Sequence, residues 1–328
     1  EFKEKRTELK DSIQNLLFSV LESEGRTIPK KSLPLEITAQ GGVGTEKEHN
    51  FLLDHYKVDS VGWGSPFLLV PEATTVDSET LQKLETAKEE DLYLSNISPL
   101  GVPFNNLRGN TKDFDKEVKI NSGRPGSVCP KRFVALNKEF KENGICTASR
   151  EYQRNKINEI KKQELTPSEF KTQISKVTEK TCTCVGLGTS ALLAYDLDTK
   201  VEGTGVSICP GPNMAYYSKE MSLKERTHHI YGKENVISRT DRPNMFIKEL
   251  NIYIDYLKNK LEETKGILDR KQTKYFSNFS TNLNEGISYY YNLFETFNDA
   301  SSNQLNELNT SKNKLNLICL EIQKYKNN

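Results

Sequence analysis

The sequence predicts an α/β protein in three parts: β-glycine-helix units first, an irregular cysteine-bearing middle next, and an all-helical bundle at the C-terminal end. Three observations carry this reading. Short apolar runs end in glycine turns at Gly41 and Gly62, turn formers crowd residues 71–130, and from about Pro243 onward apolar residues recur every three or four positions. The corresponding domains are 1–95, 96–240 and 241–328. A chain of 328 residues has length enough for a sizeable core.

Residues 1–23 place Leu9, Ile13, Leu16, Leu17, Val20 and Leu21 at helical spacing, so this segment is predicted as an amphipathic helix. A short strand, Leu35 to Ala39, runs into Gln40, Gly41, Gly42, Val43 and Gly44. Thr45 then opens a helix from Glu46 to His55. A second strand, Val58 to Val61, is closed by Gly62, Trp63, Gly64, Ser65 and Pro66, and Phe67 to Val70 continues apolar. The stretch 71–130 breaks into short pieces at Ser98-Pro99, Gly101, Pro103, Gly109, Gly123, Pro125 and Gly126, with one helix expected at Ser78 to Glu89. Arg150 to Lys180 is charged and helical, with a fresh start at Pro167 behind Thr166 as N-cap. Small and β-branched residues return at Thr183 to Leu193 and Val201 to Ile208.

The C-terminal pattern is the longest. Phe246, Leu250, Ile254, Leu257 and Leu261 form one stripe; Phe276, Phe279, Leu283, Ile287, Tyr290, Phe294 and Phe297 form a second. Leu305, Leu308, Leu315, Ile318, Ile322 and Tyr325 form a third, with Lys312 as its one defect. An exposed stripe of this kind would aggregate, so it must meet the chain's own helices or, by coiled-coil-like self-association, a second copy.

Charge and composition exclude several classes. Lys plus Arg number 46 against 45 for Asp plus Glu, so there is no general field to hold nucleic acid or anionic lipid. No run approaches the roughly 20 apolar residues of a bilayer span, and Glu1 to Lys10 lacks the apolar core of a signal peptide. The expected compartment is the cytoplasm, and the start at Glu1 reads as part of a longer protein.

Each glycine turn offers backbone N–H groups, the first of them at a helix N-terminus, which suits a phosphate or carboxylate. Gly41, Gly42 and Gly44 form the first set; Gly62, Gly64 and Ser65 form the second. A small phosphate-bearing molecule is therefore the expected partner, and tight turns with no ligand are the alternative. The segments AQGGVGTEKE and YKVDSVGWGSPFLL resemble the last two strand-loop units of flavin-dependent TIM barrels of the nitronate monooxygenase and glutamate synthase kinds. That resemblance covers about residues 35 to 70. It implies TIM-barrel-like β/α units, with FMN phosphate held by those six residues, in the C-terminal portion of an oxidoreductase whose other strands lie upstream. The segments PFLLVPEATTVD, SPLGVPFNNLR, PGSVCPKRF, ICTASREYQ and CPGPNMAYYS resemble an uncharacterised family of bacterial cytoplasmic proteins.

Cys129, Cys146, Cys182, Cys184 and Cys209 lie in turn-rich contexts, whereas Cys319 sits on a terminal helix. In a cytoplasmic chain this is no disulfide framework. Five thiols on Gly- and Pro-bearing loops make a zinc or iron–sulfur site the metal candidate, although no CxxC occurs; buried cysteines or a single catalytic thiolate are the other readings. With such a site, the chain would be a non-enzymatic helical interaction module. His228 and His229 are adjacent and would point about 100° apart on a helix, so they cannot share a ligand face. His49 and His55 read as packed or solvated, and Glu72 and Asp77 as loop caps. Arg108, Arg124, Lys131, Arg132 and Arg150, with Phe104, Phe133 and Tyr152 between them, read as groups that pair and hydrogen-bond to fix loops rather than as a nucleic-acid surface.

Overall fold

Helix α1 (Arg6–Ser23) forms where the periodicity places it, yet Leu9, Ile13, Leu16, Leu17 and Val20 remain exposed and none of its residues is buried. β1 (Thr38–Gln40) and β2 (Ser60–Gly62) pair in parallel, Thr38 opposite Ser60 and Gln40 opposite Gly62. A parallel pair needs a crossover, which is supplied by α2 (Glu46–Asp54), with the Thr45 hydroxyl capping it by accepting the Glu48 N–H. Both glycine turns therefore leave the same end of one small sheet. The computed structural model describes residues 3–128, 131–183, 185–200, 203–237, 239–264, 266–296 and 302–326.

After the second turn the chain makes a 3-10 turn (Ser65–Leu69) and α3 (Ser78–Thr86), where Asp77 accepts the Thr80 N–H as N-cap. The middle is more regular than its turn formers imply. β3 (Leu92–Ser95) and β4 (Phe104–Leu107) form an antiparallel hairpin. Then follow α4 (Thr111–Asn121), α5 (Arg150–Ile160), α6 (Pro167–Thr178), α7 (Gly186–Ala194) and α8 (Leu223–Ile230). Asn110, Ser149, Thr166 and Ser222 cap four of these helices through their side chains, and Thr166 and Ser222 complete capping boxes with Glu169 and Glu225. The sheets among the described residues are two-stranded, and no barrel closes.

The chain divides into two compact units, Glu1–Ser238 and Arg239–Asn328. The boundary expected near residue 95 does not divide it. The β3–β4 hairpin spans that point, the buried Ser190 hydroxyl donates to Asp77 at 2.6 Å, and the Met221 N–H reaches the Leu69 carbonyl at 3.0 Å. One core gathers Leu68, Leu69, Leu84, Leu107, Met214 and Tyr217 from across the first unit.

Gly186, the first residue of α7, stands against the Ser207 backbone: a Cβ there would overlap the Ser207 carbonyl oxygen. Ser207 is itself buried and bonded to Asn106. Gly186→Ala should therefore force two backbone segments apart and cost about 3 kcal/mol. An unchanged urea midpoint would contradict that close approach.

In the second unit, α9 (Met245–Glu262), α10 (Arg270–Thr296) and α11 (Ser302–Lys326) bury one seam containing Ile254, Leu257, Leu261, Phe276, Ile287, Leu308, Leu315 and Ile322. The stripes thus meet within the chain. The apparent defect in α11 has a simple origin. Ser311, not Lys312, faces the seam, and its hydroxyl bonds Asn251 of α9 and the Glu307 carbonyl while Lys312 is exposed.

Candidate functional site

Gly41 and Gly42 have φ of +101° and +74°, the left-handed region that favours glycine, and a Cβ on either would stand in open space. The turn is locked from below by a distant segment. The Asn213 amide donates to the Gly42 carbonyl at 2.6 Å, and the Gly44 carbonyl accepts both the Tyr217 hydroxyl at 3.1 Å and His229 Nε2 at 2.9 Å. His229 Nδ1 accepts the Val236 N–H, so the proton resides on Nε2 and the buried imidazole is neutral.

The second turn lies beside the first. Trp63 donates its indole N–H to His49 Nδ1 at 3.0 Å and meets His229 edge to face at 5.8 Å. Burial holds the His49 pKa below its ordinary value against the opposing pull of Glu46, which keeps it an acceptor for Trp63. Tyr231 stands 6.4 Å from the His49 ring and is exposed. Gly62 backs onto Gln40, Gly64 is open, and Gly211 (φ +67°) packs its bare Cα against Ser65. The structure thus brings Gly41, Gly42, Gly44, Gly62, Gly64 and Ser65 to one place, with an aromatic and imidazole flank of Trp63, His49, His229 and Tyr231.

Arg226 is the group that the sequence reading missed. Its side chain is fully buried (0 % exposed), and Nε, Nη1 and Nη2 all lack a hydrogen-bond acceptor among the described residues. The guanidinium lies 4.3 Å over the ring of Tyr217, the same residue that holds Gly44. Burial pulls its pKa down and the neighbouring Tyr217 opposes that shift. Buried arginines are ordinarily paired, because desolvating the ion costs several kcal/mol. The one sequence signal is position: Arg226 precedes His229 by three residues and shares its helix face.

The first turn does not fit an FMN phosphate as it stands. The Gly44 N–H is taken by the buried Glu48 carboxylate at 2.9 Å, which puts a negative charge at the helix N-terminus where the phosphate would sit.

Two of the five candidate cysteines fall beyond what the structure describes. Cys129 and Cys184 lie outside the described residues, as does Phe297 of the α10 stripe. Cys146 and Cys182 are buried, Cys209 is exposed, and no three Cys, His, Asp or Glu among the described residues gather as metal ligands. The Cys209 thiol is pushed up by burial of its sulfur, although the N–H groups of Gly211 and Asn105 and the Asn105 amide pull the other way. Asp77 is a helix cap and Glu72 accepts the Leu223 N–H. Arg108 bonds the Glu90 carbonyl and stacks on Tyr93, and Arg132 bonds the Gly144 carbonyl, as loop-fixing groups do. Among the described residues no helix is long and apolar enough to cross a membrane. No family model matches the chain, and no curated protein or solved structure matches it either.

Proposed function

We propose that this chain binds a small phosphate-bearing molecule at the paired glycine turns. The observation that carries the reading is Arg226, a sealed cation with no acceptor among the described residues, one aromatic ring away from Gly44. In a low-dielectric interior its field is weakly screened, so an anion at the open tips of Gly41, Gly42 and Gly64 would offset it. Trp63, His49 and Tyr231 offer flat surfaces for a ring attached to that anion. The likeness of residues 35–70 to flavin barrels supports phosphate as the anion; FMN as cofactor and flavin oxidoreduction as activity do not follow from it, because Glu48 occupies the expected cradle. No reaction step is assigned.

Trp63 is the only tryptophan and lies at the site, so its fluorescence reads the site directly. Titration with inorganic phosphate should give a saturable change in the wild type. Gly64 has φ −117°, outside the left-handed region, and open space around a Cβ. Gly64→Val should keep the melting temperature and weaken the response at least tenfold by blocking backbone approach. A silent wild type, or equal affinity in the variant, overturns the assignment.

A further inference from the structure

The first unit contains a cleft of about 480 Å³ bordered by the end of the Gly126 turn, the loop at 132–135 and the start of α5. Its walls carry Arg132, Lys141, Arg150 and Arg154 against one acid, Glu151. For a chain of net charge +1 this is a strong local concentration.

The charges are not cancelled. Lys141 is held by Glu151 at 2.8 Å, which uses the one acid. Arg132 bonds a neutral carbonyl, that of Gly144, at 3.2 Å. Arg150 has its Nε buried with no acceptor, and neither Arg150 nor Arg154 has a carboxylate partner among the described residues. The nearby Glu139 is committed elsewhere, to Lys156 at 2.5 Å and to the Tyr152 hydroxyl at 2.8 Å. Three guanidinium groups therefore line one concavity without a counter-ion among the described residues.

The walls are also built to stay in place. Gly126 (φ +84°) lets the chain pass so close to α5 that a Cβ would lie 2.7 Å from the Arg150 Cα. The Ser127 N–H donates to Ala148 and the Arg150 N–H to Ser127, both at 3.0 Å. Asn137 and Ile145 exchange backbone hydrogen bonds at 3.1 and 2.7 Å across the other wall. Arg132 is held at φ +56°, a conformation rare for a side chain of its size. Such pre-organisation, spent on like charges, is a feature of anion sites rather than of surface loops.

We propose that this cleft is a second anion site, distinct from the glycine turns, for a small molecule carrying a di- or triphosphate group. A single phosphate would leave much of the volume empty, whereas small-ligand pockets of roughly 300–1,000 Å³ match its size. Planar guanidinium forks give paired hydrogen bonds to phosphate oxygens, and the N-terminus of α5 adds its partial positive charge.

The test is calorimetric titration of the full chain with sodium tripolyphosphate. The wild type should bind, with affinity falling as salt rises. Arg150→Met and the exposed Arg154→Gln should each weaken binding at least tenfold; Arg154→Gln keeps the test open if the first variant does not fold. In Arg226→Met and Gly64→Val, whose phosphate response at Trp63 is expected to fall, the heat of tripolyphosphate binding that Arg154→Gln removes should remain. A wild type without heat of binding, or affinity unchanged in Arg154→Gln, overturns the proposal. Loss of binding in Arg226→Met would move the ligand to the glycine turns. Binding of a single-stranded oligonucleotide without binding of tripolyphosphate would replace the small molecule by a nucleic acid and equally overturn it.

Discussion

Leu315→Asp is expected to unfold the C-terminal helical unit, whereas Leu317→Asp two positions away should leave it intact. Leu315 is fully buried in the seam among α9, α10 and α11, and Leu317 is 65 % exposed. The buried substitution loses roughly 1.5–3 kcal/mol of apolar burial and adds the desolvation of a carboxylate with nothing to pair it. A loss of about 4 kcal/mol or more is comparable with the whole stability of a unit of this length, at roughly 0.05–0.15 kcal/mol per residue. At the exposed position the same chemistry should move stability by less than about 0.5 kcal/mol. Hydrogen exchange on the full chain reads this locally: α9, α10 and α11 should lose protection in the first variant only. Protection retained in Leu315→Asp would mean that the three stripes do not share one seam.

Arg226→Met should raise stability in phosphate-free buffer while weakening the Trp63 response to phosphate. Stacking on Tyr217 returns about 2 kcal/mol to a desolvated cation, but removing the ion from water costs several, and no acceptor among the described residues offsets the difference. A methionine of similar length fills the space without that cost, for an expected gain of about 1–4 kcal/mol read as a higher urea midpoint. A gain in stability together with a loss of anion response marks a charge kept for a ligand. If the variant is instead less stable and phosphate still perturbs Trp63 equally, Arg226 is a packing element on Tyr217 and the proposed counter-charge is wrong.

The contrast between α1 and α11 shows what periodicity conveys. Both carry apolar stripes, yet the stripe of α11 is buried and that of α1 is exposed. Spacing names a helix face and is silent on what covers it. In α11 the spacing also misplaced one position, since Lys312 read as a defect until Ser311 was seen to bond Asn251 across the seam. The β3–β4 hairpin was hidden because each strand has four residues with no clean alternation, so its pairing depends on the rest of the unit.

What the sequence by itself determined is local. Thr45, Asp77 and Thr166 cap helices through bonds to backbone three residues on, and left-handed glycines at 41 and 42 shape the first turn. These signals act within a few residues, so they are present in the text of the chain. Tertiary structure alone decided which turns stand side by side, that Asn213 and His229 hold Gly42 and Gly44 across 171 and 185 residues, and that Arg226 is sealed without an acceptor among the described residues. It likewise kept Cys209 exposed while burying Cys146 and Cys182, although all three stand in similar turns. Burial and pairing are properties of groups brought together from far apart, and no local pattern encodes them: within the segment LKERTHHI, Arg226 looks like any other charge on a solvated helix until Tyr217 closes over it.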